Sequence, residues 1–301
     1  MPLKKIKITS LKKGDAIAII STARKVTKKE LHFAVSKIES WGLSVCFGEH
    51  LFEEHHQFAG TVKQRTKDLQ WALDHENIKA IFFARGGYGS VQVLDHLNWK
   101  AFAKNPKWLI GFSDATVFHS HVQQNYKYPT LHAAMPITFF QNTATALDNL
   151  RNILFGKKVS YTFNGHPFNR EGLAKSEIVG GNLSILYSLL GSKSQLNTDG
   201  KILFLEDLDE YLYHIDRMMQ ALKRGGMLKN LTGLIVGGMT NMNDNSIPFG
   251  KTSEEIIRDV VSEYSYPLAF NIPAGHMNHN VPLLLGEQVI FRVTTDDVLI
   301  E

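Results

Sequence analysis

The sequence predicts an α/β protein: an N-terminal parallel-sheet domain of flavodoxin or Rossmann type, a C-terminal mixed α/β domain, and an active site between them. Three observations carry this. Short apolar runs bounded by turn residues, at 16–20, 43–47, 79–84 and 108–112, alternate with helical patterns. The alternation breaks at a polar, turn-rich stretch and then resumes with a different rhythm. Polar residues able to do chemistry recur where strand-like runs end, the side on which a parallel sheet opens its ligand crevice.

In order, Gly14-Asp15 precedes the strand 16–20, and Thr27 caps a helix carrying Leu31, Ala34, Val35 and Ile38. Gly42 closes that helix before the strand 43–47, which holds the only cysteine, Cys46, read as a buried and inert thiol. A loop rich in His and Glu leads to a helix opened by Thr61, then to the strand 79–84 and the turn Arg85-Gly86-Gly87-Tyr88-Gly89-Ser90. A helix with Val91, Val93, Leu94 and Leu97 follows. The run 108–112 ends in Ser113-Asp114, and a short strand at 129–132 and a helix from about 143 to 155 complete the first half. The domain assignment is 1–156, a linker at 157–170 containing Pro167, and 171–301. In the second half, strands at 172–179, 201–205, 231–236 and 268–272 alternate with helices, and the tail reads as antiparallel strands at 281–285, 288–293 and 298–300.

Composition narrows the class. Of 301 residues, 44% are hydrophobic and 21% charged, as in ordinary globular chains. A net charge of +4, with its surplus in Lys4, Lys5, Lys7, Lys12 and Lys13, is too mild and too local to imply nucleic acid. No apolar run approaches a membrane span, the N-terminus lacks the apolar segment of a signal peptide, and the lone cysteine fits the reducing cytoplasm.

The chemistry-bearing residues are then weighed singly. The turn 86–90 lacks the third glycine and distal acid of a dinucleotide site, and no Gly-Lys-Ser/Thr exists for a P-loop. What remains is a flexible turn whose amides can approach a ligand, or a plain turn. Neither His276-x-x-His279 nor the acidic run 206–210 makes a convincing metal site, and no metal or cofactor is expected. Ser113 sits at a strand-to-helix turn, where a serine either serves as a helix cap or lifts its hydroxyl toward a substrate beside free helix amides. The elbow reads Gly-Phe-Ser-Asp-Ala, with Ala115 where Gly-x-Ser-x-Gly has its second glycine. A nucleophile needs a base and an orienting acid. His119 and His121 lie down the helix that Ser113 starts; His132 and His276 lie at strand ends, and Glu206 ends a strand in the same half as His276. Spacing alone supports such a triad only weakly.

Five segments together, Ala84-Arg85-Gly86-Gly87-Tyr88-Gly89-Ser90, Ile110-Gly111-Phe112-Ser113-Asp114-Ala115-Thr116, Val179-Gly180-Gly181-Asn182-Leu183, Leu203-Phe204-Leu205-Glu206-Asp207 with Ile215-Asp216-Arg217, and Pro273-Ala274-Gly275-His276, resemble the LD-carboxypeptidases. That family of muramoyltetrapeptide carboxypeptidases is grouped with microcin-immunity peptidases. The resemblance spans nearly the whole chain and implies a serine peptidase releasing terminal D-alanine from murein tetrapeptide in cytoplasmic cell-wall recycling. By motif, Ser113 is the nucleophile, His276 the base and Glu206 the acid, with oxyanion donors at the amides of Asp114 and Gly87. The resemblance implies no cofactor and a homodimer. Arg85, Tyr88, His132 and Asn182 are the substrate-binding candidates, Arg85 for a terminal carboxylate. Asn182 also suits a helix cap, and Arg85 a salt bridge shaping the turn. Asp114 is expected to cap its own helix. Asp216 and Arg217 read as structural, and 241–250 as a surface or specificity loop. Where the family often shows His-Gly-Pro-Met, this chain has His132-Ala133-Ala134-Met135. The rival readings are an immunity-type peptidase acting on a peptide–nucleotide amide and a non-enzymatic small-peptide-binding module.

Overall fold

Residues 8–301 are described by the computed structural model; Lys4, Lys5 and Lys7 lie outside the described residues. The first half supplies β1 (Ala16–Ile20), α1 (Lys28–Ser40), β2 (Ser44–Phe47), α2 (Val62–Asp74), β3 (Ile78–Phe83), α3 (Ser90–Leu94), α4 (Lys100–Lys104), β4 (Trp108–Gly111), α5 (Thr116–Tyr126), β5 (Thr130–His132) and α6 (Ala144–Leu154). The remainder supplies β6 (Tyr161–Asn164), β7 (Gly172–Asn182), α7 (Leu183–Ser188), β8 (Ile202–Leu208), α8 (Leu212–Arg224), β9 (Gly233–Thr240), α9 (Ser253–Val260), β10 (Leu268–Ala269), β11 (Leu283–Leu285), β12 (Gln288–Val293) and β13 (Asp297–Ile300).

The first sheet runs β11-β5-β4-β3-β1-β2. Its strands β1 to β5 are parallel, in the 2-1-3-4-5 order of flavodoxin-like folds, and the order reverses between β1 and β3. The inner strands are apolar because both faces are covered: Ile17, Ile19, Ile81, Phe82, Leu109 and Ile110 are all fully buried. Burying each such side chain contributes roughly 1.5–3 kcal/mol. Thr27 and Thr61 open α1 and α2 with reciprocal capping boxes to Glu30 and Gln64. At the other end of α2, buried Lys107 donates to the carbonyls of Ala72 and His75, at 3.0 and 2.8 Å.

The second sheet runs β10-β9-β8-β7-β12-β13-β6. Strands β7 to β10 are parallel, whereas β12, β13 and β6 continue the sheet antiparallel. Among the described residues, no helix is long and apolar enough to cross a membrane.

Four differences from the sequence reading stand out. The stretch 157–170, expected as a linker, contains β6, which pairs with β13. Its short Tyr161–Asn164 alternation, with stacked Tyr161 and Phe163 rings, is masked by polar neighbours. Strand β11 does not stay with its own half; it pairs antiparallel with β5 at the edge of the first sheet. Helix α4 breaks away from α3 as a separate turn of helix. Cys46 is half-buried rather than buried, because β2 is an edge strand.

Candidate active site

Both Glu206 and His276 are placed by irregular backbone, Glu206 inside β8 and His276 on the loop after β10. The β8–β9 register slips between Leu205 and Asp207, so Glu206 sits in a bulge, a device that re-aims a side chain. After β10 the chain turns through Gly275 at φ 114°, a conformation suited to glycine. A Cβ there would lie 2.6 Å from Glu206 Oε2, so the absence of a side chain lets the turn close onto the acid. His276 Nδ1 then donates to Glu206 Oε2 at 2.7 Å. Burial raises the Glu206 pKa, but the charge and hydrogen bond of His276 outweigh it and hold the group at about 2. Burial lowers the His276 pKa, yet the Glu206 charge and hydrogen bond shift it above its ordinary value.

Ser113 follows β4 directly and has φ 60°, the left-handed region that non-glycine residues seldom occupy. Such strain marks serines held at a sharp strand-to-helix turn. Ser113 Oγ faces the turn after β3: a Cβ on Gly86 would meet it at 3.1 Å. Among the described residues Ser113 Oγ has no hydrogen bond to His276. The ring of Phe112, the preceding residue, packs 4.8 Å from the His276 ring.

Comparison with known proteins follows this geometry. Residues 17–133 match the LD-carboxypeptidase N-terminal domain, and residues 175–291 match the LD-carboxypeptidase C-terminal domain. A Bacillus subtilis (strain 168) protein named "Probable murein peptide carboxypeptidase" is 30% identical over 302 residues, 97% of this chain and 93% of that protein. The chain belongs to the LD-carboxypeptidase family. It is a serine-type peptidase by that membership. A murein tetrapeptide carboxypeptidase of Pseudomonas aeruginosa is 28% identical over 295 residues, 92% of each chain. The crystal structure of muramoyltetrapeptide carboxypeptidase from Oxalobacter formigenes shares the fold, with a TM-score of 0.86 at 24% identity over 95% of this chain and 97% of that one.

The other predicted positions of this LD-carboxypeptidase separate into cleft and support. Tyr88 is 49% exposed at the glycine turn, and Arg85 lies at the rim, its Nη1 donating to Lys25 O at 3.4 Å and lying 3.9 Å from Glu30. His132 is 0% exposed and so presents no surface to a substrate; it lies between the rings of Phe112 and Phe204 with Nε2 3.9 Å from Glu206 Oε1. It packs behind the acid, and neither of its ring nitrogens has a hydrogen-bond partner among the described residues. Asn182 is buried as the cap of α7: its Oδ1 accepts from Ile185 N, and its Nδ2 donates to Asp207 Oδ1 at 2.8 Å. Burial, with the Glu206 charge beside it, raises Asp207 to about 7, so adjacent carboxyls have widely separated pKa values.

Asp114 does not cap its own helix. It lies within a single 3₁₀ turn preceding α5, and its Oδ2 instead accepts from Ser90 N at 2.8 Å, capping α3 across the site. Sequence reasoning also missed the far wall. A cavity of about 190 Å³ beside His276 is lined by Phe112, Gln141, Asn142, Asn278 and Asn280, among others. Asn142 accepts from Asn280 N at 3.1 Å and a 2.7 Å hydrogen bond joins Thr143 to His279, so the loop after His276 is fastened to the first half. The Asn-rich composition of 278–280 was the available signal, though isolated asparagines also mark ordinary turns.

Proposed function

We propose that this enzyme removes the terminal D-alanine of a murein tetrapeptide by serine catalysis, with Ser113, His276 and Glu206 as nucleophile, base and acid. The 2.7 Å hydrogen bond from His276 Nδ1 to Glu206 carries the reading, because it leaves Nε2 as the imidazole nitrogen open to the serine proton. In the forward step Ser113 Oγ attacks the carbonyl of the L,D-amide while His276 Nε2 takes its proton. Glu206 fixes the tautomer and stabilises the imidazolium. The amides of Gly87 and Asp114 receive the oxyanion, each donor contributing roughly 3 kcal/mol to the transition state. Collapse breaks the C–N bond, His276 returns the proton to the departing D-alanine amine, and water then cleaves the acyl-enzyme by the same route. Arg85 and Tyr88 at the rim are assigned to the peptide, Arg85 to its terminal carboxylate. His132 and Asn182 enter this reading through Glu206 and Asp207 rather than by touching the substrate.

The family membership and the names of the relatives support a murein peptide as substrate; a place in cell-wall recycling is part of the same proposal. The reading includes a cytoplasmic homodimer, as the family resemblance implies; light scattering behind size-exclusion chromatography tests the dimer. Purified protein incubated with an L,D-tetrapeptide should release free D-alanine without added metal, and Ser113→Ala should stop it with the fold retained. Normal turnover by Ser113→Ala sinks the assignment. Cleavage of an aminoacyl-nucleotide amide with the tetrapeptide left intact would move the enzyme to the immunity branch.

A further inference from the structure

One peptide unit beside the site is gripped between two buried side chains, Arg65 and Asp114. The Gly89 carbonyl accepts from Arg65 Nη1 at 3.0 Å, and the N–H of the same unit, on Ser90, donates to Asp114 Oδ2 at 2.8 Å. Arg65, in the first turn of α2, is 1% exposed. Its Nη1 also donates to Thr22 O in the loop after β1, its Nη2 donates to Gln92 Oε1 at 2.8 Å, and its guanidinium lies 4.7 Å over the Phe58 ring. Thr22 Oγ1 and Ser90 Oγ share a 2.7 Å hydrogen bond in the same cluster.

The arrangement is electrostatically ordered. Arg65 Nε and Asp114 Oδ1 are both buried without a hydrogen-bond partner among the described residues. Buried polar groups left unpaired are costly, so their surroundings must compensate them. Here the peptide unit lies between the two, its carbonyl end on the Arg65 guanidinium and its N–H end on an Asp114 carboxyl oxygen. The gripped unit closes the turn 86–89 and opens α3, while Asp114 is the residue after Ser113. The grip therefore spans the two backbone segments assigned as oxyanion donors.

We propose that Arg65 is a positioning residue: with the Asp114 side chain it clamps the Gly89–Ser90 peptide and sets the spacing between the glycine turn and the serine elbow that the oxyanion hole requires. This rests on the reading of Ser113 as nucleophile with the Gly87 and Asp114 amides as donors. Arg65 never touches substrate; it acts through the turn.

The test compares Arg65→Met, Arg65→Lys, Arg65→Ala and the charge-neutral double variant R65M/D114N in tetrapeptide hydrolysis and in the rate of Ser113 labelling by a fluorophosphonate, whose phosphoryl oxygen occupies the oxyanion position. Arg65→Met should lower kcat and the labelling rate by about 100-fold with KM within about threefold, since an oxyanion defect is felt in the transition state. Arg65→Lys should recover part of the rate, and added guanidinium should rescue Arg65→Ala. The double variant removes both buried charges together and should melt near the wild type while keeping the rate loss. Wild-type kcat and labelling in folded Arg65→Met would overturn the clamp alone, as would a rate that returns with the melting temperature in the double variant. Turnover retained by Ser113→Ala would overturn the nucleophile reading and the clamp with it.

Discussion

Thr116 Oγ1 accepts the backbone N–H of Asn182 at 3.0 Å. Thr116 begins the helix that Ser113 leads into, and Asn182 is the register partner of Glu206 across β7 and β8. One hydrogen bond and one ladder position therefore connect the serine elbow of the first half to the acid of the second. Thr116→Val keeps the shape and removes the acceptor, leaving a buried amide unpaired. It should cost about 1–3 kcal/mol of stability and lower kcat with KM little changed, read by urea unfolding and steady-state kinetics. A wild-type unfolding midpoint would show that the bond does not tie the halves.

The acidic limb of the pH–rate profile belongs to His276 in this mechanism. The base works neutral, and Glu206 raises its pKa above 6.5 against the opposing effect of burial. Activity should therefore rise with pH through a midpoint above 6.5. Glu206→Gln removes the negative charge, so the midpoint should fall, and kcat should drop by about 10²–10⁴ because the tautomer and imidazolium lose their partner. An unmoved midpoint in a kcat/KM profile would exclude Glu206 as the orienting acid.

The left-handed backbone of Ser113 is a local cost that glycine would relieve. Ser113→Gly should abolish turnover and raise stability by about 1 kcal/mol, a Tm gain of about 2 °C by calorimetry, whereas Ser113→Ala abolishes turnover with little gain. Equal melting temperatures for the two variants would remove the strain argument.

Gly275→Ala should be among the most damaging single-methyl changes near the site. The added carbon would sit 2.8 Å from Glu206 Cβ on a backbone at φ 114°. Expected losses are about 2–3 kcal/mol of stability and more than tenfold in kcat. Proton NMR provides the direct check, since the His276 Nδ1–H resonance of the wild type should vanish or move; its persistence unchanged would contradict the close-packing account.

The legible part of this protein was whatever depends on local pattern. The buried strands at β1, β3 and β4 announce themselves as apolar runs, and Thr27 and Thr61 as caps, because propensity and tertiary structure agree there. Ser113, Glu206 and His276 could be shortlisted because each follows an apolar run, although Glu206 lies inside β8 and His276 on the loop after β10. Illegible were relations set by three-dimensional closure. The bulge at Glu206 depends on the β8–β9 register, which no window of β8 alone contains. Asp114 follows a serine at a helix start and so mimics an N-cap, yet its carboxylate serves Ser90, 24 residues earlier in the chain. His132 looked like a cleft residue for the same strand-end reason, but the second sheet covers it. Arg65 offered no signal at all, since an arginine in a polar helix turn normally faces water.

The crossing of β11 into the first sheet bears on inheritance. Leu283–Leu285 pairs with Thr130–His132, beside the strand that carries Ser113, while β12 and β13 return to the second sheet. A chain cut near residue 156 would leave the first piece with a bare sheet edge and the second with an orphan strand. The halves are thus not interchangeable cassettes. A chimera joining one relative's front to another's back must also match a strand pairing far from the junction, so the pieces of this enzyme are expected to have diverged together.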